Sequence, residues 1–190
     1  MADFNIAYKI TSVNEGGYAN VSGDAGGETY KGIARNYHPK WDGWATIDSI
    51  KKANPFLTRK ELDTRLAAIS ELQTSVKNFF KVNFWDINWL DKFNSQDIAN
   101  ELYDTGVNFG PGRALKMLQE AVNFTRTDVT LDVDGAIGNN TLNATNSHAD
   151  TKLLFKGMNL LQGEAYIEAW RKNSIQEKFI KGWFTRIAFL

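Results

Sequence analysis

Apolar residues recur at three- and four-residue steps along most of this 190-residue chain, and one glycine-rich segment interrupts them. Such steps place apolar side chains on one face of a helix, so the pattern predicts a mainly α fold. The first predicted helix is capped by Asp3, has Ile6, Ile10 and Val13 on one face and ends at Gly16–Gly17. The interruption, YANVSGDAGGETYKGI, has β-prone residues around a Gly/Asp-rich turn, which predicts one small β-hairpin.

Helix-start signals recur further along the chain. Thr58 and Glu61 form a capping box before a long amphipathic stretch, and Pro111 suits the first turn of a helix. Further predicted starts lie at Asn140, at Asp150 for a helix to about Lys172, and at a second capping box, Ser174 with Glu177. A soft boundary near Ser95 divides the chain into regions 1–94 and 95–190.

Charge and composition exclude several classes of protein. The 22 basic and 22 acidic residues give a net charge of zero, which argues against nucleic-acid binding because that function needs a dense basic face. The chain has no cysteine, which excludes disulfides, thiolate metal sites and thiol nucleophiles. It also has no apolar run long enough for an integral membrane segment, and its start lacks the features of a secretory signal.

Metal chemistry is not expected either. His38 and His148 are isolated in the sequence, and the segment DVTLDVDGAIGNNTL resembles a calcium loop only superficially. Asp132 and Asp134 have suitable offsets, but Thr141 stands where such a loop needs a bidentate acid. We therefore predict an ordinary turn at Asp134 and no metal or organic cofactor.

One set of residues can carry acid catalysis. Glu15 lies at the predicted end of the first helix, where the helix dipole and nearby Tyr18 and Tyr30 should keep its carboxyl group protonated. A protonated carboxyl is what a glycosidase needs to protonate a departing oxygen. Asp24, in a solvated turn, should remain ionised to stabilise positive charge or activate water, and Thr29 offers a hydroxyl to position that water. The spacing equally allows Glu15 to be a solvated helix-end acid and Asp24 a turn former.

Two nearby segments, NEGGY and then DAGGETYKGIA, resemble the signature of the glycoside hydrolase family of phage-type N-acetylmuramidases and secretion activator proteins. That signature is Glu-Gly-Gly-Tyr followed by Asp-x-Gly-Gly-x-Thr-x-x-Gly-Ile. Further on, ELYDTGVNFGPGRALKMLQEAVN, VDGAIGNNTL and KGWFTRIAFL are similar to the family's predicted peptidoglycan-binding region. The resemblance therefore covers nearly the whole chain.

The resemblance implies a lysozyme-like helical fold and hydrolysis of the β-1,4 bond between N-acetylmuramic acid and N-acetylglucosamine. It implies that Glu15 is the essential acid, with Asp24 and Thr29 carried over beside it. Peptidoglycan glycan strands are the expected partner, and Tyr18, Tyr30 and Asn108 are the expected substrate contacts. Asn108 could alternatively cap the following helix. An acid on a hairpin opposite Glu15 favours the wide carboxyl separation of inverting enzymes.

Two other functions stay open at this stage. A lytic transglycosylase would need one acid/base glutamate and no activated water. A protein that binds the cell wall or assists secretion would cut nothing, although an intact Glu15 argues against a decayed enzyme. Because the start of the chain shows no export signal, we expect synthesis in the cytoplasm and action at the cell wall or periplasm after release, through a holin or another protein's secretion pathway.

Some candidate positions have a structural explanation as their default interpretation. Glu101 and Asp104 share a predicted helix face, which favours a solvated face or a salt bridge. Four tryptophans could stack on sugars, and we expect at most one or two to do so while the others belong to the core: Trp41, Trp44, Trp85 and Trp89.

Overall fold

The structure is a computed structural model and describes residues 1–12, 16–21, 24, 26–172 and 180–187. The chain divides into two compact units. The hairpin unit comprises Tyr8–Val82, and the bundle unit comprises Met1–Ala7 together with Asn83–Leu190. The predicted division of the chain into regions 1–94 and 95–190 stays a prediction.

The mainly α fold with one small sheet is confirmed. Within the described ranges the helices are α1 Phe4–Ser12, α2 Gly43–Ala53, α3 Arg59–Ala67, α4 Ser70–Phe80, α5 Gln96–Phe109, α6 Pro111–Thr125, α7 Asn139–Asn146, α8 Thr151–Lys172 and α9 Ile180–Arg186. A π-helical turn, Lys81–Trp85, and two 3-10 turns, Asp86–Asn88 and Leu90–Lys92, connect α4 to α5.

The sheet of the hairpin unit has three short antiparallel strands: β1 Tyr18–Ala19, β2 Thr29–Tyr30 and β3 Ile33–Ala34. The predicted hairpin is the pair β1–β2, in which Tyr18 faces Tyr30. The third strand follows a two-residue turn in which Lys31 and Gly32 have φ values of 45° and 79°. Two successive positive φ values match the twist of a tight hairpin, so the glycine at position 32 allows β3 to pair with β2.

The first helix forms as predicted, but the predicted face is wrong. Ile6 and Ile10 are 47% and 55% exposed, whereas Phe4, Ala7 and Thr11 are buried. This second set has the same helical spacing and includes an aromatic ring, whose burial removes more apolar area from water than that of an isoleucine. Val13 and the predicted helix end lie outside the described residues.

Three helices follow the sheet in the hairpin unit. The capping box at Thr58 and Glu61 is confirmed at the start of α3. The single long helix predicted from there is two helices, because Ile69 is extended and separates α3 from α4. The buried residues of α4 are Leu72, Val76 and Phe80. The sequence interpretation missed α2, which starts at a glycine and whose N-cap residue makes no side-chain capping bond.

Helices α5, α6 and α8 pack on one another in the bundle unit, each with one side buried. Ser95 caps α5, since its hydroxyl accepts from the Ile98 N–H, and Pro111 opens α6 as predicted. The side chain of Asp150 accepts from the Leu153 N–H at the start of α8, which confirms that cap. The predicted capping box at Ser174 and Glu177 lies outside the described residues.

Among the helices that the structure describes, none combines the length and apolar character needed to cross a bilayer.

Candidate active site

Glu15, the predicted general acid, lies in the gap between the described residues 12 and 16. Its role therefore stays a prediction, and the structure is informative about the residues that follow it. Gly16 and Gly17 are exposed, and Tyr18 is buried at the start of β1.

Asp63 of α3 explains why a glycine stands at position 17. The Tyr18 N–H donates to Asp63 Oδ1 at 2.6 Å, so the carboxylate lies against the backbone just before β1. A Cβ atom on residue 17 would overlap this carboxylate, whereas a Cβ on Gly16 would meet no atom of the described residues within 4 Å. The close approach ties the residues after Glu15 to α3.

Asp24 lies in the turn between β1 and β2, and its side chain is exposed. Its Oδ1 accepts from the Gly26 N–H at 2.9 Å, and its carbonyl accepts from the Gly27 N–H at 3.0 Å. Hydrogen bonds of this kind are made by an aspartate that forms a turn, which is the alternative role that the sequence spacing allows for Asp24. The same geometry leaves a carboxylate at the surface of the turn, and the catalytic role of Asp24 stays a prediction.

Thr29 opens β2 and is partly exposed. Its hydroxyl donates to the Gly27 carbonyl at 3.2 Å. The predicted pair Asp24 and Thr29 therefore flanks one short turn, and both bond to Gly27.

Glu28, which the sequence interpretation did not single out, is the centre of a polar network. Its Oε1 accepts from the Tyr18 hydroxyl and from Lys51 Nζ, each at 2.6 Å, and its Oε2 lies 2.6 Å from Arg35 Nε. Its side chain is only 11% exposed. One carboxylate thus joins β1, β2, the segment after β3 and α2.

The charge of Glu28 follows from these partners. Burial opposes ionisation, but the hydrogen bonds from Lys51 and Tyr18 outweigh it and lower the pKa of Glu28. Burial is the main cause that raises the pKa of Tyr18, and the hydrogen bond to Glu28 raises it further. At neutral pH the network therefore contains an ionised carboxylate, a neutral phenol and two cations.

The network continues to the outer face of α2. Arg35 makes two hydrogen bonds to Asp48, at 2.6 and 3.0 Å, and its guanidinium lies 4.3 Å from the Trp44 ring centre. A paired and stacked arginine has little freedom to move. The side chains around β2 are therefore held in place from several directions.

A groove of about 480 Å³ opens beside Tyr18 within the hairpin unit. Asn20, Lys51, Asn54 and Arg59 supply its polar side chains. Leu57 and Leu62 supply part of its apolar lining. Amide, cationic and phenolic groups beside apolar surface are suited to a ligand with hydroxyl and amide groups, such as an N-acetylated sugar.

The predicted contact Tyr30 has a different environment. It is fully buried and stacks on Trp41 with 6.4 Å between the ring centres. Its hydroxyl accepts from Gln73 Nε2 at 3.1 Å. These are the contacts of a core residue, and a role in substrate binding stays a prediction.

Comparison with known families agrees with the motif. A family model described as Glycosyl hydrolase 108 matches residues 8–110, a range that includes Glu15, the sheet and the Glu28 network. The chain belongs to the glycosyl hydrolase 108 family. This confirms the resemblance found in the two glycine-rich segments.

The rest of this glycosyl hydrolase 108 chain carries a second module. A model described as Predicted Peptidoglycan domain matches residues 113–188, in agreement with the resemblance noted for that region. The protein thus joins a glycosyl hydrolase domain to a peptidoglycan domain and is a peptidoglycan-acting protein.

Among solved structures, the chain is similar to SagA of Brucella abortus, with 24% sequence identity and a TM-score of 0.59. The match covers 97% of this chain and 88% of SagA, and at this identity it shows a shared fold. No curated protein sequence matches the chain.

Asn108 lies on the last turn of α5, in the bundle unit of this glycosyl hydrolase 108 protein. Its amide donates to the Asp104 carbonyl at 2.8 Å and to the Asp104 carboxylate at 3.2 Å. Its side chain is exposed, so an amide remains at the surface of the unit. Its role as a substrate contact stays a prediction.

The solvated-face interpretation of Glu101 is wrong, because its side chain is buried in the core of the bundle unit. Burial, together with the nearby charge of Asp104, raises the pKa of Glu101 to about 8. Thr105 Oγ1 donates to Glu101 Oε1 at 3.3 Å, and Gln162 Nε2 donates to Thr105 Oγ1 at 3.0 Å. Asp104 forms the predicted salt bridge, at 2.7 Å from Arg186.

Most of the candidate tryptophans belong to the core, as expected. Trp41, Trp44 and Trp85 are buried, and Trp89 alone of the four is partly exposed. Its ring lies 4.1 Å from Lys92 Nζ.

Sequence reasoning missed an aromatic groove of about 330 Å³ between α8 and α9. Tyr166 stacks on Trp183 with 5.0 Å between the ring centres, and Trp170 is 44% exposed at its side. The groove falls within the range matched by the peptidoglycan domain. The sequence signal that could have indicated this groove is the set of aromatic residues on the last two helices: Tyr166 and Trp170, four positions apart on α8, and Trp183 and Phe184 on α9.

The predicted turn at Asp134 is confirmed. Asp134 Oδ1 accepts from the Ala136 N–H at 2.9 Å and from Gln119 Nε2 at 2.7 Å. These two hydrogen bonds lower the pKa of Asp134, and the bond from the Ala136 backbone has the larger effect. Among the described residues, no cluster of three or more acidic or histidine side chains could hold a metal ion.

Proposed function

We propose that this glycosyl hydrolase 108 protein hydrolyses the β-1,4 bond between N-acetylmuramic acid and N-acetylglucosamine in peptidoglycan. The observation that carries the proposal is the family match over residues 8–110, which contains Glu15 within the Glu-Gly-Gly-Tyr motif. The groove beside Tyr18, three residues after Glu15, supports it with hydrogen-bonding groups suited to an amino sugar.

In the proposed mechanism Glu15 protonates the glycosidic oxygen as the bond to the anomeric carbon breaks. Positive charge then develops on the sugar ring, and an ionised Asp24 stabilises it or takes a proton from the attacking water. Thr29 orients that water. The Glu28 network contributes by holding Tyr18 and β2, the neighbours of these groups, in one arrangement.

Replacing Glu15 by Gln tests the assignment, because an amide cannot donate the acidic proton. Clearing of purified cell walls should fall at least about 100-fold, the usual contribution of a general acid. Glu120→Gln, at an exposed position of α6, is the matched control and should clear walls like the unmodified protein. Circular dichroism should show the same melting temperature for all three proteins, and walls cleared normally by Glu15→Gln would refute the proposal.

The products identify the reaction. Mass spectrometry of the released muropeptides should show N-acetylmuramic acid at reducing ends that borohydride reduces. Anhydro ends would instead identify a lytic transglycosylase, which needs no activated water, and the turn bonds of Asp24 are compatible with that reaction. Binding to walls with no released fragments would favour the non-catalytic alternative.

Asp24→Asn tests the second carboxylate. If Asp24 activates water, its loss should reduce hydrolysis about as strongly as the loss of Glu15. Proton NMR of the fresh product should then show inversion at the anomeric carbon, which the wide carboxyl separation predicts. Retention, or full activity of Asp24→Asn, would remove Asp24 from the mechanism and leave the Glu15 assignment intact.

We also propose that the aromatic groove of the bundle unit binds the cell wall. Aromatic rings offer flat apolar surfaces for sugar rings, and Trp170 is the exposed member of the set. Trp170→Ala should weaken retention on insoluble peptidoglycan several-fold in a pull-down. Val82→Ala, at an exposed apolar position outside the matched peptidoglycan domain and outside both grooves, is the control and should bind normally.

A further inference from the structure

Helix α8 has two apolar faces, although a helix on the surface of a bundle needs one. Leu154, Met158 and Ala165 are buried in the bundle unit. On the outer side, Leu153, Leu160 and Ile167 are 45%, 70% and 50% exposed. These three residues are separated by seven positions, so they form a stripe along one side of the helix.

The charged residues of the outer face have a mirror arrangement about Leu160. Lys156 lies four residues before it and Glu164 four residues after it, and both are exposed. The spacing between successive residues of this face is therefore 3-4-4-3, which is the same in both chain directions, for positions 153, 156, 160, 164 and 167. At 1.5 Å per residue Lys156 and Glu164 are about 12 Å apart along the helix, too far to pair with each other.

We propose that this face is a homodimer interface, in which α8 packs antiparallel on α8 of a second copy about a two-fold axis at Leu160. A two-fold axis requires a surface that is complementary to itself. Under this symmetry Leu160 meets the partner's Leu160, and Leu153 meets the partner's Ile167. Each apolar residue of the stripe thereby gains an apolar neighbour.

Charge selects the antiparallel direction. In that arrangement Lys156 lies opposite the partner's Glu164, and the reciprocal pair forms at the other end. A parallel pair in register would place Lys156 against Lys156 and Glu164 against Glu164, which is unfavourable. Antiparallel packing also aligns opposite ends of the two helix dipoles. The inference is independent of the proposed hydrolysis, since none of these residues belongs to the proposed catalytic groups. It overlaps the aromatic groove proposed to bind the cell wall, because Ile167 at one end of the stripe also lines that groove.

Sedimentation equilibrium over a range of protein concentrations tests the dimer. The unmodified protein should associate reversibly, and Leu160→Glu should be a monomer. Lys156→Glu and Glu164→Lys should each weaken dimerisation at least tenfold, and the double variant should recover it because the opposite charges face each other again. Glu120→Lys on α6 is the control and should dimerise normally. A monomeric unmodified protein, or a double variant no better than the single ones, would overturn the proposal.

The absence of cysteine from the chain allows a geometric test. Leu160→Cys places two thiols at the axis, so mild oxidation should join two copies by a disulfide. Leu153→Cys is the matched control on the same stripe, because its two copies would be about 21 Å apart in the antiparallel pair. Mixing Leu153→Cys with Ile167→Cys should restore the cross-link between them. Cross-linking of Leu153→Cys alone would indicate a parallel pair and contradict the proposal.

Discussion

Two glutamates that are shielded from solvent, one in each unit, differ in charge: Glu28 is ionised at neutral pH and Glu101 is protonated. Glu28 of the hairpin unit accepts from Tyr18 and Lys51 and pairs with Arg35, and its pKa is lowered. Glu101 of the bundle unit has Thr105 and Asn159 as hydrogen-bonding partners and Asp104 as a nearby negative charge, and its pKa is raised to about 8. Burial disfavours the charged form in both units, and the partners decide whether that cost is offset.

This comparison describes what a general acid in this protein needs. A glutamate surrounded like Glu28 is held ionised and cannot donate a proton at neutral pH. A glutamate surrounded like Glu101 keeps its proton at neutral pH. The proposed role of Glu15 therefore requires surroundings of the second kind, and the pH dependence of wall clearing reports on them.

The largest expected effect is stabilisation by Glu101→Gln. The folded-state pKa of about 8 exceeds the ordinary value of 4.5, so between these pH values the folded protein holds a proton that the unfolded chain has released. Stability therefore falls as the pH rises through this window. At pH 7 the variant, which has no proton to lose, should gain roughly 3 kcal/mol in the free energy of unfolding.

Urea denaturation followed by circular dichroism at pH 4 and pH 7 measures this gain. At pH 4 the advantage of the variant should vanish, because the glutamate is then protonated in both states. An equal advantage at both pH values would contradict the raised pKa as its cause.

The same substitution at Glu28 should have the opposite sign. Glu28→Gln leaves Lys51 and Arg35 without their shared carboxylate and should destabilise the protein by about 2 kcal/mol at pH 7. Because the folded-state pKa of Glu28 is lowered, its contribution is present above about pH 4.5 and is lost as the pH falls through the folded value. Thermal unfolding of the unmodified protein and of Glu28→Gln at pH 7 and at acid pH measures this loss, because the difference in stability between them should shrink at acid pH.

Asp48→Asn is the matched control for Glu28→Gln. Asp48 also pairs with Arg35, but its side chain is 53% exposed, so its removal should cost less than about 1 kcal/mol. Equal losses in the free energy of unfolding for the two variants would show that shielding Glu28 from solvent does not strengthen its ion pairs.

A third carboxylate, Asp63, is held by a backbone N–H. Gly17→Ala should displace it and destabilise the hairpin unit by about 1 to 2 kcal/mol, since the new Cβ would occupy the same space. The Cβ of Gly16→Ala would meet no atom of the described part of the chain within 4 Å, so this variant should change stability by less than about 0.5 kcal/mol. Guanidinium denaturation of the two variants in parallel measures the difference, and equal losses would contradict the close approach at Gly17.

The smallest expected effect is that of salt. Raising sodium chloride from 0.1 to 1 M should reduce the loss caused by Glu28→Gln by a few tenths of a kcal/mol, because Lys51 and Arg35 are partly exposed. The gain from Glu101→Gln at pH 7 should not change by a comparable amount, since Glu101 is neutral there. The same denaturation series in two buffers checks this difference.

Local signals in the sequence were sufficient for the helical class, the hairpin and most helix starts. Capping at Thr58 and Asp150 and the first-turn Pro111 depend on residues within a few positions of one another, so they could be identified without a fold. The glycine-rich motif identified the family for the same reason, because its residues are adjacent in the chain.

Tertiary structure decided which of these residues are buried and which charges meet. Both Phe4 and Ile6 fit a helical face, and only packing in the fold selected Phe4 for burial. Glu28 and Lys51 are 23 residues apart, and no local pattern distinguishes their contact from two solvated side chains. The charge state of a buried carboxylate depends on neighbours that the fold brings together, which is why the opposite behaviour of Glu28 and Glu101 could not be read from the sequence.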